Sequence, residues 1–299
     1  MTANISSTSS AKAFSKDVLP PIYGVEMCVA LVGNLLALGL IVTKERKNWH
    51  TGVVFTCNLV ISDILYALTL PLLVDYYARD RNWTFGEAAC KLERFLFTCN
   101  LYASIYFIMC ISVNRYLGIV HPFFTRTYVQ TKHAKIISLM VWIVVAGLAS
   151  PILYYSGVSK TRCSLFADSA SKSKKFMFRV FMAVIGCLVP FLATFASYFG
   201  VIWVVFKNEN ITLLEKKKVA LMVCTVCVLY AVSFVPYHSL QILHFKLKAE
   251  GIANYYVRNG YQVSKALACL NMCLHPILYM AVFDSIRALC CRKCSKESN

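Results

Sequence analysis

Charged residues are scarce in this 299-residue chain: 15% of it is Asp, Glu, Lys or Arg, against 58% hydrophobic residues. The stretches between its apolar runs are short, at most about twenty residues, so no separate soluble domain can fold within them. Residues 1–17 are rich in Ser, Thr and Ala and hold no apolar run; they read as a disordered tail with no cleavable signal peptide. His-Glu-x-x-His and Gly-x-Ser-x-Gly are both absent, and the six histidines lack ligand spacing, which argues against a zinc protease or a serine hydrolase. There is no internal repeat of the kind that transporters with duplicated halves show. Cys290, Cys291 and Cys294 cluster near the end, one thiol short of the four ligands of a structural zinc site.

Length of apolar run is what the chain has in plenty. Seven stretches run through 22–43, 53–77, 95–120, 136–155, 176–206, 219–243 and 261–283. A helix needs ~20 mainly apolar residues to cross ~30 Å of hydrocarbon, and each stretch suffices. Barrel strands would show short alternating segments, which are missing. The sequence therefore predicts an all-α membrane protein, a bundle of seven helices over 18–283, followed at 284–299 by a short amphipathic membrane-surface helix and tail. In that last segment Cys290, Cys291 and Cys294 beside Arg287, Arg292 and Lys293 read as acylation sites with a basic anchor.

A net charge of +17 invites a nucleic-acid reading, but membrane proteins gather Lys and Arg in their cytoplasmic loops. Here the cations are divided evenly. With the N-terminus taken as outside, fifteen fall on each side, and Lys265 lies inside the last span. Orientation must rest on other marks. Asn4 and Asn82 begin glycan acceptor triplets on the proposed outer side, while a third triplet at Asn210 falls inside. Cys90 and Cys163 both lie in outer segments, and a disulfide between them would require an oxidising compartment.

Polar groups within spans are costly and so informative. Asn34, Asn58, Asp63, Asn100, Ser104, Asn271 and His275 all lie near mid-membrane depth, each as either a local backbone partner or part of a cluster. Asp63 must be protonated or partnered there, which favours an internal polar cluster. At the outer end Arg94 begins the third span, Arg179 the fifth, and Lys265 sits on the seventh. Three cations around a crevice favour a compact polyanion, with Arg162 placed to close it from above. Tyr23, Tyr77, Tyr102, Tyr106, His238 and Tyr261 supply aromatic faces and hydroxyls for a base or sugar.

Gly33-Asn34, Asn58 to Asp63, Asn114-Arg115-Tyr116, Trp142, Pro190 with Tyr198, Phe234-Val235-Pro236-Tyr237 and His275-Pro276-Ile277-Leu278-Tyr279 come one per span, in order. That series resembles the rhodopsin-like G-protein-coupled receptors along essentially the whole chain. Trp83-Thr84-Phe85-Gly86 leading to Cys90, Glu93 to Asn100, Pro236-Tyr237-His238 and Tyr261-Gln262-Val263-Ser264-Lys265 are similar to the metabotropic purinergic receptors, towards their ATP-preferring branch. The resemblance implies ligand contacts from Arg94, His238 and Lys265, with the two cations on phosphate; Thr98, Tyr102, Gln241 and Gln262 complete the expected set. It implies activation by an outward swing of the sixth span, which fits Phe234 beneath the ligand, Pro236 as a hinge, Pro190 and Pro276 as comparable weak points, and Arg115, Tyr198 and Tyr279 exchanging partners. A heterotrimeric G protein is the implied partner, with arrestin and receptor kinases beyond it.

The departures matter as much. Gln241 stands where such receptors usually have a basic residue, and the usual second pair of outer cysteines is missing. An anionic ligand is retained, but a dicarboxylate of the succinate or oxoglutarate type, or an anionic lipid, competes with a nucleotide. Asn114 replaces the usual acid before Arg115 and Lys216 the usual acid at the foot of the sixth span, which predicts raised basal signalling. His275 replaces Asn or Asp beside Asp63, so at most a weak sodium site is expected there. No other cofactor or metal is expected.

Overall fold

The computed structural model describes residues 16–44, 49–164, 172–252 and 254–282. Asn4, Phe283, Cys290, Cys291, Cys294 and the expected surface helix lie outside the described residues. Six helical segments are long and apolar enough to cross a membrane: Leu19–Thr43, Thr51–Ala78, Gly86–Val120, Thr131–Tyr155, Lys175–Lys207 and Leu213–Ala249. The seventh, Tyr255–Val282, has 28 residues and so the reach, but carries Arg258, Lys265, Asn271 and His275 along its length. With the receptor-type motifs they form a seven-helix bundle. The first span packs against the second and the seventh, the sixth against the seventh, and the third against the second, fourth and fifth. The third span is the most buried, as a central strut should be.

Several ends differ from the sequence reading, each for a physical reason. The second span is two helices, Thr51–Ala67 and Leu70–Ala78, with Pro71 in the first turn of the latter. Proline has no N–H to reach back four residues, so the first helix stops before it. Thr69 Oγ1 donates to the Tyr66 carbonyl at 2.7 Å across the break. The fifth span carries a π-helical turn, Val184–Leu188, just before Pro190. Two hydroxyls from neighbouring spans take carbonyls of that turn: Tyr106 donates to Ile185 O at 3.0 Å and Tyr230 to Cys187 O at 2.9 Å. Gly186 is required there, because a Cβ would run into the Tyr102 ring. The sixth span begins at a capping box, in which Thr212 Oγ1 accepts from Glu215 N and the Glu215 carboxylate accepts from Thr212 N at 3.0 Å.

Cys90 and Cys163 form a disulfide, Cα–Cα 5.6 Å, which pins a two-stranded hairpin over one end of the bundle. The strands Gly157–Ser159 and Arg162–Ser164 pair antiparallel with Val158 opposite Cys163. Trp83 N donates to Thr161 O at 2.8 Å and ties the second-to-third-span loop to the hairpin tip.

Candidate functional site

Beneath that hairpin lies a cavity of about 720 Å³. Seven cations line it, Arg81, Arg94, Lys160, Arg162, Lys248, Arg258 and Lys265, and among the described residues no Asp or Glu does. They come from the loops and from the third, sixth and seventh spans; the disulfide fixes the hairpin to the third span, and the sixth packs against the seventh. Lys160 and Arg81 hold left-handed backbone, φ 58° and 65°. Non-glycine residues adopt that conformation at a cost, and such strain collects where side chains must be aimed.

Two of the cations are deep. Arg94 is 8% exposed and donates through Nη2 to Cys163 O at 3.3 Å. Lys265 is 5% exposed, with Nζ 5.0 Å from the centre of the Phe97 ring. A cation over an aromatic face gains ~0.5–2 kcal/mol, which holds the ammonium in place without using its donors. Beside them Tyr77 donates to Gln262 Oε1 at 2.9 Å and stacks on Tyr23, and Tyr261 stacks on His244 at 5.4 Å.

Six of the expected ligand residues therefore share one cavity: Tyr77, Arg94, Arg162, Tyr261, Gln262 and Lys265. The other six stand outside its lining. Tyr23 is buried behind Tyr77. Thr98 spends its hydroxyl on Arg94 O at 2.9 Å. Tyr102 and His238 lie together with ring centres 5.9 Å apart, deeper between the third and sixth spans. Arg179 is buried with its guanidinium 5.0 Å from the Phe245 ring. Gln241 is fully buried and donates to the hydroxyls of Tyr237 and Tyr261, at 2.7 and 3.2 Å. Its amide knits the sixth span to the seventh.

Arg81, Lys160, Lys248, Arg258 and His244 were not in the expected set. The signal for the four cations was present as an unexplained surplus of charge at this end. Glu93 was also missed: it is fully buried, 3.2 Å from Arg94 Nε.

Halfway down the bundle the expected polar cluster is assembled. Asp63 accepts from Asn100 Nδ2 at 2.9 Å and from His275 Nδ1 at 2.6 Å. Asn271 Nδ2 meets His275 Nε2 at 2.9 Å, so a neutral ring protonated on Nδ1 satisfies both contacts. Asn34 donates to Met272 O at 3.0 Å, and Trp142 Nε1 to Asn58 Oδ1 at 2.9 Å. The Ser104 hydroxyl is buried with no hydrogen bond among the described residues.

At the far end Asn114 accepts from Thr51 Oγ1 at 2.6 Å, tying the third span to the second. Lys216 donates to Phe206 O at 3.0 Å, which turns its charge towards the end of the fifth span. Tyr198 is buried beside Ser112 and Arg115, and Tyr116 packs on Gly200, where a Cβ would stand 2.5 Å from its ring. Phe234 is fully buried against Tyr230, ring centres 4.9 Å apart, two residues before Pro236. Pro276 packs against Gly33, while the side chain of Tyr279 lies outside the described residues.

Residues 33–279 match the family model of the 7 transmembrane receptor (rhodopsin family). The chain is 38% identical to the Y-type purinoceptor 11 of Homo sapiens, over 98% of this chain and 90% of that protein. It is 34% identical to the Y-type purinoceptor 1 of Cavia porcellus and of Homo sapiens, in each case over 94% of this chain and 78% of the relative. A spanning bundle, an ordered motif on every span and likeness over nearly all of this chain agree: the chain belongs to the rhodopsin family of seven-transmembrane receptors and, within it, to the Y-type purinoceptors.

Proposed function

We propose that this multi-pass receptor lies in the plasma membrane with its N-terminus outside and captures an extracellular nucleotide of the ATP type. The observation that carries this reading is the cavity under the hairpin, with seven cations and, among the described residues, no acid in its lining. A disulfide forms in an oxidising compartment, so the end that bears Cys90 and Cys163 faces outward. A dicarboxylate is matched by two cations, and a lipid by an apolar groove open to the bilayer. A triphosphate has enough charge and donor-seeking oxygens to use the tier of Arg94 and Lys265 together with cations above it.

In this reading the phosphates meet Arg94 and Lys265, and Arg162 closes over them. Tyr77, Tyr261 and Gln262 frame the sugar or base. Tyr23, Thr98, Tyr102, Arg179, His238 and Gln241 form the wall that moves when the sixth and seventh spans draw together around the anion. A ligand shifts such an equilibrium only through unequal affinity for the two states, and that closure supplies the inequality. The response passes Phe234 and Pro236 to the inner ends, where Arg115, Tyr116, Tyr198 and Tyr279 would meet a heterotrimeric G protein, and later arrestin after receptor kinases. The receptor domain spans 18–283; residues 1–17 form an outer tail with a glycan at Asn4, and Asn82, exposed beside the hairpin, takes another. Residues 284–299 would lie on the inner leaflet, anchored by acyl chains on Cys290, Cys291 and Cys294. Membership of the receptor family makes the chain a signalling protein and not an enzyme.

The test is a calcium-release assay in cells bearing the receptor at measured surface density, with ATP, succinate, oxoglutarate and an oxidised fatty acid compared. Response to ATP at the lowest concentration is expected. A response to a dicarboxylate or lipid with none to ATP would overturn the reading.

A further inference from the structure

Glu93 is a buried acid that stands behind Arg94, outside the lining of a cavity built for anions. It has no exposed surface, and neither carboxylate oxygen has a hydrogen bond among the described residues. Its contact is ionic, Oε2 to Arg94 Nε at 3.2 Å, and it stands within electrostatic reach of Lys265. Burying an ionised carboxylate without hydrogen bonds is costly unless cations surround it. The converse holds as well: Arg94 and Lys265 lie within reach of each other, 8% and 5% exposed, and two such cations repel strongly once water is thinned. Arg94 turns Nε to Glu93 and Nη2 to Cys163 O, so the guanidinium is clamped from behind and from above.

We infer that Glu93 is the resident counter-ion of the ligand site and sets how steeply affinity depends on ligand charge. It offsets the repulsion between the two cations in the empty receptor. When a phosphate arrives, Glu93 stays behind the pair, and its charge opposes the newcomer in proportion to the ligand's own charge. Glu93 is thus a specificity-determining residue that blunts preference for the most highly charged anion. Carboxylate charge, rather than the contact with Nε, is what does this.

The inference rests on the nucleotide reading, and the experiment separates the two. Concentration–response curves for ATP, ADP and AMP would be measured on the wild type, Glu93→Gln and Glu93→Asp at equal surface density. Glu93→Gln keeps the shape and removes the charge; the ratio of ATP to AMP potency should rise by at least about threefold, since each added ligand charge loses one repulsion. Glu93→Asp keeps the charge but is too short to reach Nε, so its ratio should match the wild type. An unchanged ratio in Glu93→Gln, or an equal loss of potency for all three nucleotides, overturns the inference. So does a shifted ratio in Glu93→Asp, which also serves should Glu93→Gln not reach the surface. If the wild type ignores all three nucleotides, it is the nucleotide reading that has failed.

Discussion

At the scale of the residue, His275 closes the polar cluster halfway down the bundle. Its ring sits where a carboxamide or carboxylate would leave room for a hydrated cation, and it holds Asp63 and Asn271 together at 2.6 and 2.9 Å. An imidazole that already bonds the carboxylate removes the ligand oxygen a sodium ion needs. Agonist affinity should therefore change by less than about twofold when sodium is replaced by N-methylglucamine, well below the usual span of allosteric coupling. His275→Asn should restore a sodium effect of about fivefold or more. A large sodium effect in the wild type would show that the ring moves aside and that the cluster is not closed. Gln241 teaches a similar lesson. The resemblance puts it among the ligand contacts, and in the structure its amide nitrogen donates to the hydroxyls of Tyr237 and Tyr261. Position along a helix predicts which way a side chain leaves the backbone, but not which neighbour reaches it first.

At the scale of the element, apolar length made six spans legible, since lipid demands ~20 residues per crossing, while the seventh needed its motif beside its length. The breaks were less legible. Pro71 and Pro190 stood in plain view, yet whether a proline kinks, breaks or widens a helix depends on who takes the freed carbonyls. Tyr106 and Tyr230 answer that for the fifth span, and they come from far along the chain. The inner ends hold a further consequence. Asn114 accepts from Thr51 and brings no charge to the position before Arg115, while Lys216 is bound to Phe206 O. An acid at position 114 would add a charge to the restraint on outward movement of the sixth span. Asn114→Asp should lower ligand-free signalling about twofold to fivefold at equal surface density, the worth of one partly exposed ion pair. Unchanged basal signalling would mean that other contacts hold the inner ends.

At the scale of the whole molecule, the even division of cations has found its cause. Positive charge should gather on the cytoplasmic side, but with the N-terminus outside, as proposed, six of the fifteen cations on that side and Lys265 line one cavity. The sequence showed that surplus as a number only. Arg81, Lys160, Lys248 and Arg258 sit in or beside short loops, where nothing in local pattern says which way a side chain turns; the Cys90–Cys163 disulfide and the Trp83–Thr161 bond bring in the first two, and packing of the sixth span on the seventh brings in the others. The account stands on the claim that this cavity holds a nucleotide by the deep pair Arg94 and Lys265. Saturable binding of radiolabelled ATP to membranes, compared between wild type and the Arg94→Ala, Lys265→Ala double variant at matched surface density, tests it most directly. Two buried charge-assisted contacts at ~1.5–3 kcal/mol each predict a loss of affinity of at least about a hundredfold. Binding that survives the double substitution undiminished would contradict the account.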